Sequence, residues 1–169
     1  MFVLGHLGIG SRLLFSLRTR LPAGWLYLGC LLPDLIDKPL FYVPLLVMHR
    51  QLPLITGTRT FGHTGLFLLA WLILALALRR PWIWAVFAGL VTHFALDIAG
   101  EMVTDADPES SIWLAFFFPT FGGRFPEAHF HSLFEHLTMS AQSAYVIAGE
   151  LIGGALLLYA RWRRRDLRA

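Results

Sequence analysis

The chain has 169 residues, enough for one domain, of which 56% are hydrophobic and only 15% charged. A soluble domain carries about 25% charged residues, so a mean hydropathy of +0.60 excludes an ordinary water-soluble globule and points to lipid as the solvent. The net charge is only +3, with the basic residues at the ends of apolar runs, which excludes a nucleic-acid surface; the single cysteine, Cys30, excludes an internal disulfide.

In chain order, residues 1–17 lack a basic n-region and a small-residue cleavage site, so they read as retained rather than as a signal peptide. They are short for a span, and Arg12 weakens them further. A spanning helix needs about 20 mostly apolar residues. Residues 22–47 and 81–103 are long enough but carry charges near their middles, while 63–79 and 143–160 are the cleanest candidates. Residues 110–121 are apolar but too short to cross, which fits an interfacial or re-entrant segment. Trp82, Trp84 and Trp162 suit the aromatic belts of a bilayer. No internal repeat or low-complexity segment occurs. The predicted fold is all-α: a polytopic membrane bundle forming one domain over 1–169, with four or five spanning helices according to whether 1–17 crosses.

Lysine and arginine set the orientation. The tail from Arg161 to Arg165, the Arg79-Arg80 pair and the Arg18/Arg20 stretch should face the cytoplasm. Loop 104–142, with one arginine and several acids, should lie outside, as should loop 48–62 despite Arg50 and Arg59.

The ionisable residues inside the spans agree in depth. His93 lies 12 residues beyond Pro81 and Asp97 lies 16 beyond it, about 18 and about 24 Å along a helix. His63 precedes Arg79 by 16 residues, also about 24 Å. Asp34 lies 12 residues beyond Pro22, about 18 Å, with Asp37 a turn higher; if residues 1–17 span, His6, 12 residues from Arg18, also reaches about 18 Å. Four segments thus place acids and imidazoles in one layer. A carboxylate at mid-membrane costs roughly 2.5–3.5 kcal/mol and is functional by default. His93 and Asp97 share a helix face at i, i+4, and Asp34 and Asp37 nearly do at i, i+3, a spacing that builds metal sites in bundles. Imidazole with carboxylate suits zinc first, and manganese or iron before calcium or magnesium. Lys38 could instead simply pair with Asp34 or Asp37. In the outer loop, His131 and Glu135 are again i, i+4; with Glu127, His129 and His136 they either complete the site from above or form a solvated stretch.

The same residues carry a family resemblance. Gly5-His6-Leu7, Leu31-Leu32-Pro33-Asp34-Leu35-Ile36-Asp37, Arg59-Thr60-Phe61-Gly62-His63-Thr64 and Thr92-His93-Phe94-Ala95-Leu96-Asp97 occur in that order. This pattern resembles the bacterial YdjM-like family of predicted inner-membrane metal-dependent hydrolases, from residue 5 to about residue 119, where Trp113 to Pro119 echoes the family's usual ending. The resemblance implies a multi-pass protein of the bacterial inner membrane with metal ligands at His6, Asp34 or Asp37, His63, His93 and Asp97. Where the family often has two aspartates one residue apart followed by histidine, this chain has two intervening residues and then Lys38, so either aspartate could be the ligand. Gly62 and Thr64 around His63 also depart from the family's Thr-His-Ser. The family is distantly similar to the zinc-dependent phospholipase C and P1 nuclease group, in which a His-x3-Asp pair precedes a His-x3-Glu pair, an order repeated by His93/Asp97 and His131/Glu135.

These features predict a metal-dependent hydrolase using a metal-activated water. The aspartate not fully engaged as a ligand, Asp34 or Asp37, would orient the water or take its proton, while Arg59 and Lys38 would hold a phosphate. The partners expected are membrane lipids and a lipid-borne phosphoester, not nucleic acid. The rivals are a metal-ion or small-solute transporter and a non-catalytic scaffold whose metal ties helices together. The predicted orientation has a direct test. A cysteine replacing Arg168 in a Cys30-free background should be labelled only from the cytoplasmic side, and labelling from outside would invert the topology.

Overall fold

The computed structural model describes residues 3–15, 21–48, 50, 52–104, 108–130 and 132–166. Among them the secondary structure is helical, without a strand; Leu52 and Ile55 form an isolated bridge. The N-terminal rod is built from α1 (Val3–Gly5), a π-helical turn (His6–Gly10) and α2 (Ser11–Phe15). The long α3 (Ala23–Met48) contains Pro33, Pro39 and Pro44, each of which removes an amide from the helical ladder. The sequence pattern suggests a helix from 63, but α4 runs Gly65–Leu78. Thr64 is extended and its side chain accepts the Phe67 amide as an N-cap, leaving His63 in a separate 3-10 turn (Phe61–His63). Arg79 closes α4 in the left-handed conformation, φ 50°, and Pro81 occupies the first turn of α5 (Pro81–Val103), where its missing N–H costs nothing. A short α6 (Ile112–Phe116), α7 (Leu133–Gln142) and α8 (Ala144–Asp166) complete the chain.

Among the described residues, two helices are long and apolar enough to cross a membrane: α5 and the Ala144–Arg163 part of α8. Four or five were expected. The shortfall has two physical causes. Helix α4 is apolar but has only 14 residues, about 21 Å of helix against a hydrocarbon core of about 30 Å. Helix α3 is long, but Asp34, Asp37 and Lys38 interrupt it. Lipid still suits the exterior. Leu35, Leu46, Val47, Leu66, Ile73, Leu151 and Leu158 are all more than half exposed, an apolar surface that water-soluble monomers avoid.

Helices α3 and α5 cross closely. A Cβ added at Gly29 would sit 2.2 Å from the Val86 carbonyl oxygen, and one at Gly89 would sit 2.4 Å from that of Leu26. Backbone therefore packs on backbone, as in small-residue contacts between membrane helices. Leu26, Cys30, Ile83, Val86 and Leu90 are fully buried around this crossing. At the loop-side end, Phe41, Ile55 and Phe130 form a small apolar cluster. There the Ala128 amide donates to the Thr56 carbonyl over 2.9 Å, folding the 124–130 segment against the loop that follows α3. Gly89→Ala should cost about 1–3 kcal/mol, the range for overpacking a fitted interior, read as a lower thermal transition in detergent. An unchanged transition would contradict so close a crossing.

Candidate metal centre

The site is assembled from four elements. Asp37, on the buried face of α3, has no exposed surface. Its Oδ2 accepts the Thr60 amide at 2.6 Å and the His63 Nδ1–H at 2.7 Å, while Oδ1 accepts the Gly62 amide at 2.8 Å. One carboxylate thereby pins the 3-10 turn to α3 and sets the His63 tautomer, leaving Nε2 as an acceptor. On α5, His93 makes the matching arrangement: its Nδ1–H donates to the Cys30 carbonyl over 2.8 Å, a contact permitted by the glycine crossing beside it. The two Nε2 atoms face each other at 3.1 Å. Two imidazole lone pairs cannot approach so closely in a dry interior unless a cation lies between them, either a second proton on one ring or a metal ion.

More acceptors close around the pair. His6, 1% exposed, comes from the π-helical turn and stacks on His93 with ring centres 4.0 Å apart and planes 16° from parallel. Neither of its ring nitrogens makes a hydrogen bond, although Nε2 lies 3.3 Å from Oδ1 of Asp97. The other oxygen of Asp97 lies 3.6 Å from His63 Nε2 and 3.7 Å from His93 Nε2. Asp34 Oδ1 stands 3.9 Å from His63 Nε2. These atoms form two overlapping groups of potential ligands, His6/Asp34/His93 and His63/His93/Asp97, each with its ligand atoms within 4.8 Å of one another. Buried polar atoms are almost always satisfied. An orphaned imidazole beside converging acceptors therefore fits a divalent ion, and nitrogen with carboxylate oxygen suits zinc, manganese or iron.

A cavity of about 320 Å³ adjoins the cluster and is lined by Asp34, His63 and Asp97 together with Lys38, Arg59 and His136. Lys38 pairs with Asp34 Oδ2 at 2.7 Å. Arg59 places Nε 3.8 Å from Asp97 Oδ2 and donates from Nη1 to the Ser110 carbonyl at 3.4 Å. Glu101 sits 3.9 Å from the same guanidinium and accepts the Ile112 amide at 2.6 Å as well as the Ser111 hydroxyl. His136 is clamped face to face on Phe130, 4.2 Å between ring centres, and pairs through Nδ1 with the Tyr42 hydroxyl. Burial, and then the positive charge of Lys38, push its pKa down to about 4, so the ring is neutral at physiological pH.

Of the residues singled out in the sequence, the fold brings His6, Asp34, His63, His93 and Asp97 into one cluster, with Asp37 behind it and Lys38 and Arg59 at the cavity. Glu127, His129 and His136 line the same cavity. His131 lies outside the described residues. Glu135 is exposed and does not line the cavity. Ser132 caps α7 by accepting the Glu135 amide, which places Glu135 in the first turn of a helix that begins at Leu133. Two neighbours of the site were not singled out. Glu101 was accessible in principle, one turn beyond Asp97 on the same face; Tyr42 carries no local signal.

Residues 1–162 match the YdjM inner membrane protein family, a span that contains every residue of the cluster. The chain belongs to that family. No curated protein and no solved structure matches it. Family membership and the two long apolar helices agree on a membrane protein. The geometry separates the two aspartates in a measurable way. Asp37→Ala strands three buried donors and should cost at least about 3 kcal/mol, whereas Asp34→Ala, whose side chain is 13% exposed and opens on the cavity beside Lys38, should cost less. Thermal denaturation in detergent reads both, and equal losses would contradict the division.

Proposed function

We propose that this chain is a membrane-embedded metal-dependent hydrolase that cleaves a phosphoester of a lipid or lipid-linked substrate. The observation that carries the reading is the pair of Nε2 atoms of His63 and His93, 3.1 Å apart, with both Nδ1 atoms committed elsewhere. His6, His63, His93 and Asp97 would hold the ion, zinc first. The bound metal supplies Lewis acidity and lowers the pKa of water from about 15.7 toward about 7. Asp34 faces both the cluster and the cavity, so it is the carboxylate available either to complete the ligand set or to take a proton from water. Asp37, saturated by three donors, is the orienting carboxylate.

Arg59 and Lys38 support a phosphate-bearing substrate. Each is held one carboxylate away from His63: Arg59 through Asp97 and Lys38 through Asp34. A phosphate drawn to the cluster would meet both cations. The guanidinium can bind two of its oxygens at once and stabilise charge that grows in the transition state. The cavity beside the cluster favours an enzyme over a closed structural site, which leaves no place for substrate. The apolar exterior supports a lipid-borne substrate whose headgroup enters from the loop-side end. We read the chain as multi-pass, with four or five crossings and a cytoplasmic C-terminus; α3 can cross because Asp37 and Asp34 turn their charges inward onto His63 and Lys38.

Protein purified without chelator should contain near-stoichiometric divalent metal, and His93→Ala should lose most of it. Phosphate or headgroup release from phospholipids and polyprenyl phosphates should require that metal. Arg59→Ala should keep the metal while lowering turnover by about 100-fold or more, the scale of one lost transition-state donor. Asp34→Ala that keeps metal but loses turnover assigns Asp34 to proton transfer; loss of both assigns it to the metal. Metal-replete protein that turns over none of these substrates would refute the hydrolase reading.

A further inference from the structure

The sequence puts one carboxylate, Glu150, in the apolar run of 143–160. A lone acid in such a helix needs a partner, and its partner is the backbone of the N-terminal rod. Glu150 Oε1 accepts the Gly5 amide at 2.8 Å and Oε2 accepts the Leu4 amide at 3.1 Å. These are among the first amides of a helix, which have no partner within the helix itself, and an anion there also meets the positive end of the helix dipole. The approach is close: a Cβ at Gly8 would fall 2.1 Å from the Gly153 carbonyl oxygen, and one at Gly153 would fall 2.1 Å from that of Leu4. The residue after Gly5 is His6, which opens the π-helical turn. Such turns are common at functional sites because they re-aim a side chain. Between the carboxylate on α8 and the imidazole stacked on His93 there is a single peptide unit.

We propose that Glu150 is a positioning residue for the metal centre: by holding the Leu4 and Gly5 amides against α8, it aims His6 at His93 and Asp97. This rests on the metal reading above. His6 makes no side-chain hydrogen bond of its own, so its ring is located by stacking on His93, by the 3.3 Å approach of Nε2 to Asp97 and by the path of its backbone. That backbone is fixed from α8, a helix that contributes no residue to the cluster. Removing the carboxylate should therefore act on the metal through His6 and by no other route.

Cobalt(II), whose visible absorption reports its ligands, is the probe, used on the full-length protein in detergent. Glu150→Ala should shift the cobalt spectrum to that of His6→Ala and weaken cobalt binding by about tenfold or more, as loss of a ligand's orienting partner does. The double variant should be no weaker than His6→Ala alone. Glu150→Gln, which keeps one acceptor oxygen, should recover most of the affinity. If Glu150→Ala does not fold, Gly153→Ala tests the same contact, because its methyl meets the Leu4 carbonyl; it should give the same spectral change. A wild-type spectrum and affinity in Glu150→Ala, or a double variant much weaker than His6→Ala, overturns the proposal. If the wild type takes up no cobalt, the metal reading fails first. Amide exchange over residues 3–10, accelerated in Glu150→Ala, would then leave Glu150 as an anchor of the rod and not as a positioning residue for metal.

Discussion

The arrangement of this molecule depends on the Asp37 carboxylate. Three donors converge on it from one turn of chain, the amides of Thr60 and Gly62 and the imidazole of His63. Without that acceptor the turn would carry unsatisfied donors into an apolar interior, at a cost of about 1–3 kcal/mol for each. With it, the segment before α4 folds inward and His63 arrives with its orientation and tautomer decided. Histidine ligands to metals are commonly fixed through their second nitrogen in this way. The Cys30 carbonyl does the same for His93. The orientation of both imidazoles is set by atoms one layer behind them.

The helix crossing and the site are one construction. Gly29 and Gly89 let α3 and α5 touch backbone to backbone, and only at that distance can a side chain on α5 reach a carbonyl of α3. Proline at 33 has a related consequence. It breaks the regular ladder of α3 just before Asp34, where the helix turns its acids toward the bundle. The apolar periphery contributes differently. Helices α4 and α8 expose most of their leucines, so their role is to face lipid and to carry termini, as α8 does for the N-terminal rod.

Much of this was legible in the sequence because burying charge in lipid is expensive. The residues His6, Asp34, His63, His93 and Asp97 stood out as ionisable groups at matching depth, and the fold does gather them. What periodicity could not show was the break at Thr64. A capping hydroxyl ends the helix before His63, so the depth argument reached the right residue through a helix that does not contain it. Nor could spacing tell Asp34 from Asp37. Both lie on nearly the same face, and the difference arises from the 3-10 turn that only the folded chain delivers. Glu150 went unremarked because one acid in an otherwise apolar run reads as a tolerated exception, and its partners are backbone amides nearly 150 residues away.

With the histidines taken as neutral, the charge around the cluster is one that a single divalent ion would balance. Among the described residues, Asp34, Asp37, Asp97 and Glu101 bring four negative charges to the cluster and its rim, while Lys38 and Arg59 bring two positive ones. With the histidines neutral, as metal ligation requires, the deficit is two. A bare excess of that size in a low-dielectric interior is costly, because each unpaired buried ion carries a penalty of several kcal/mol. A single shared proton between His63 and His93 removes half of it. One divalent cation would remove all of it, held by the imidazoles and carboxylates that converge there. The set would then be neutral only with Arg59 and Lys38 counted in it, which is why the two cations sit against Asp97 and Asp34, the carboxylates that face both the imidazoles and the cavity.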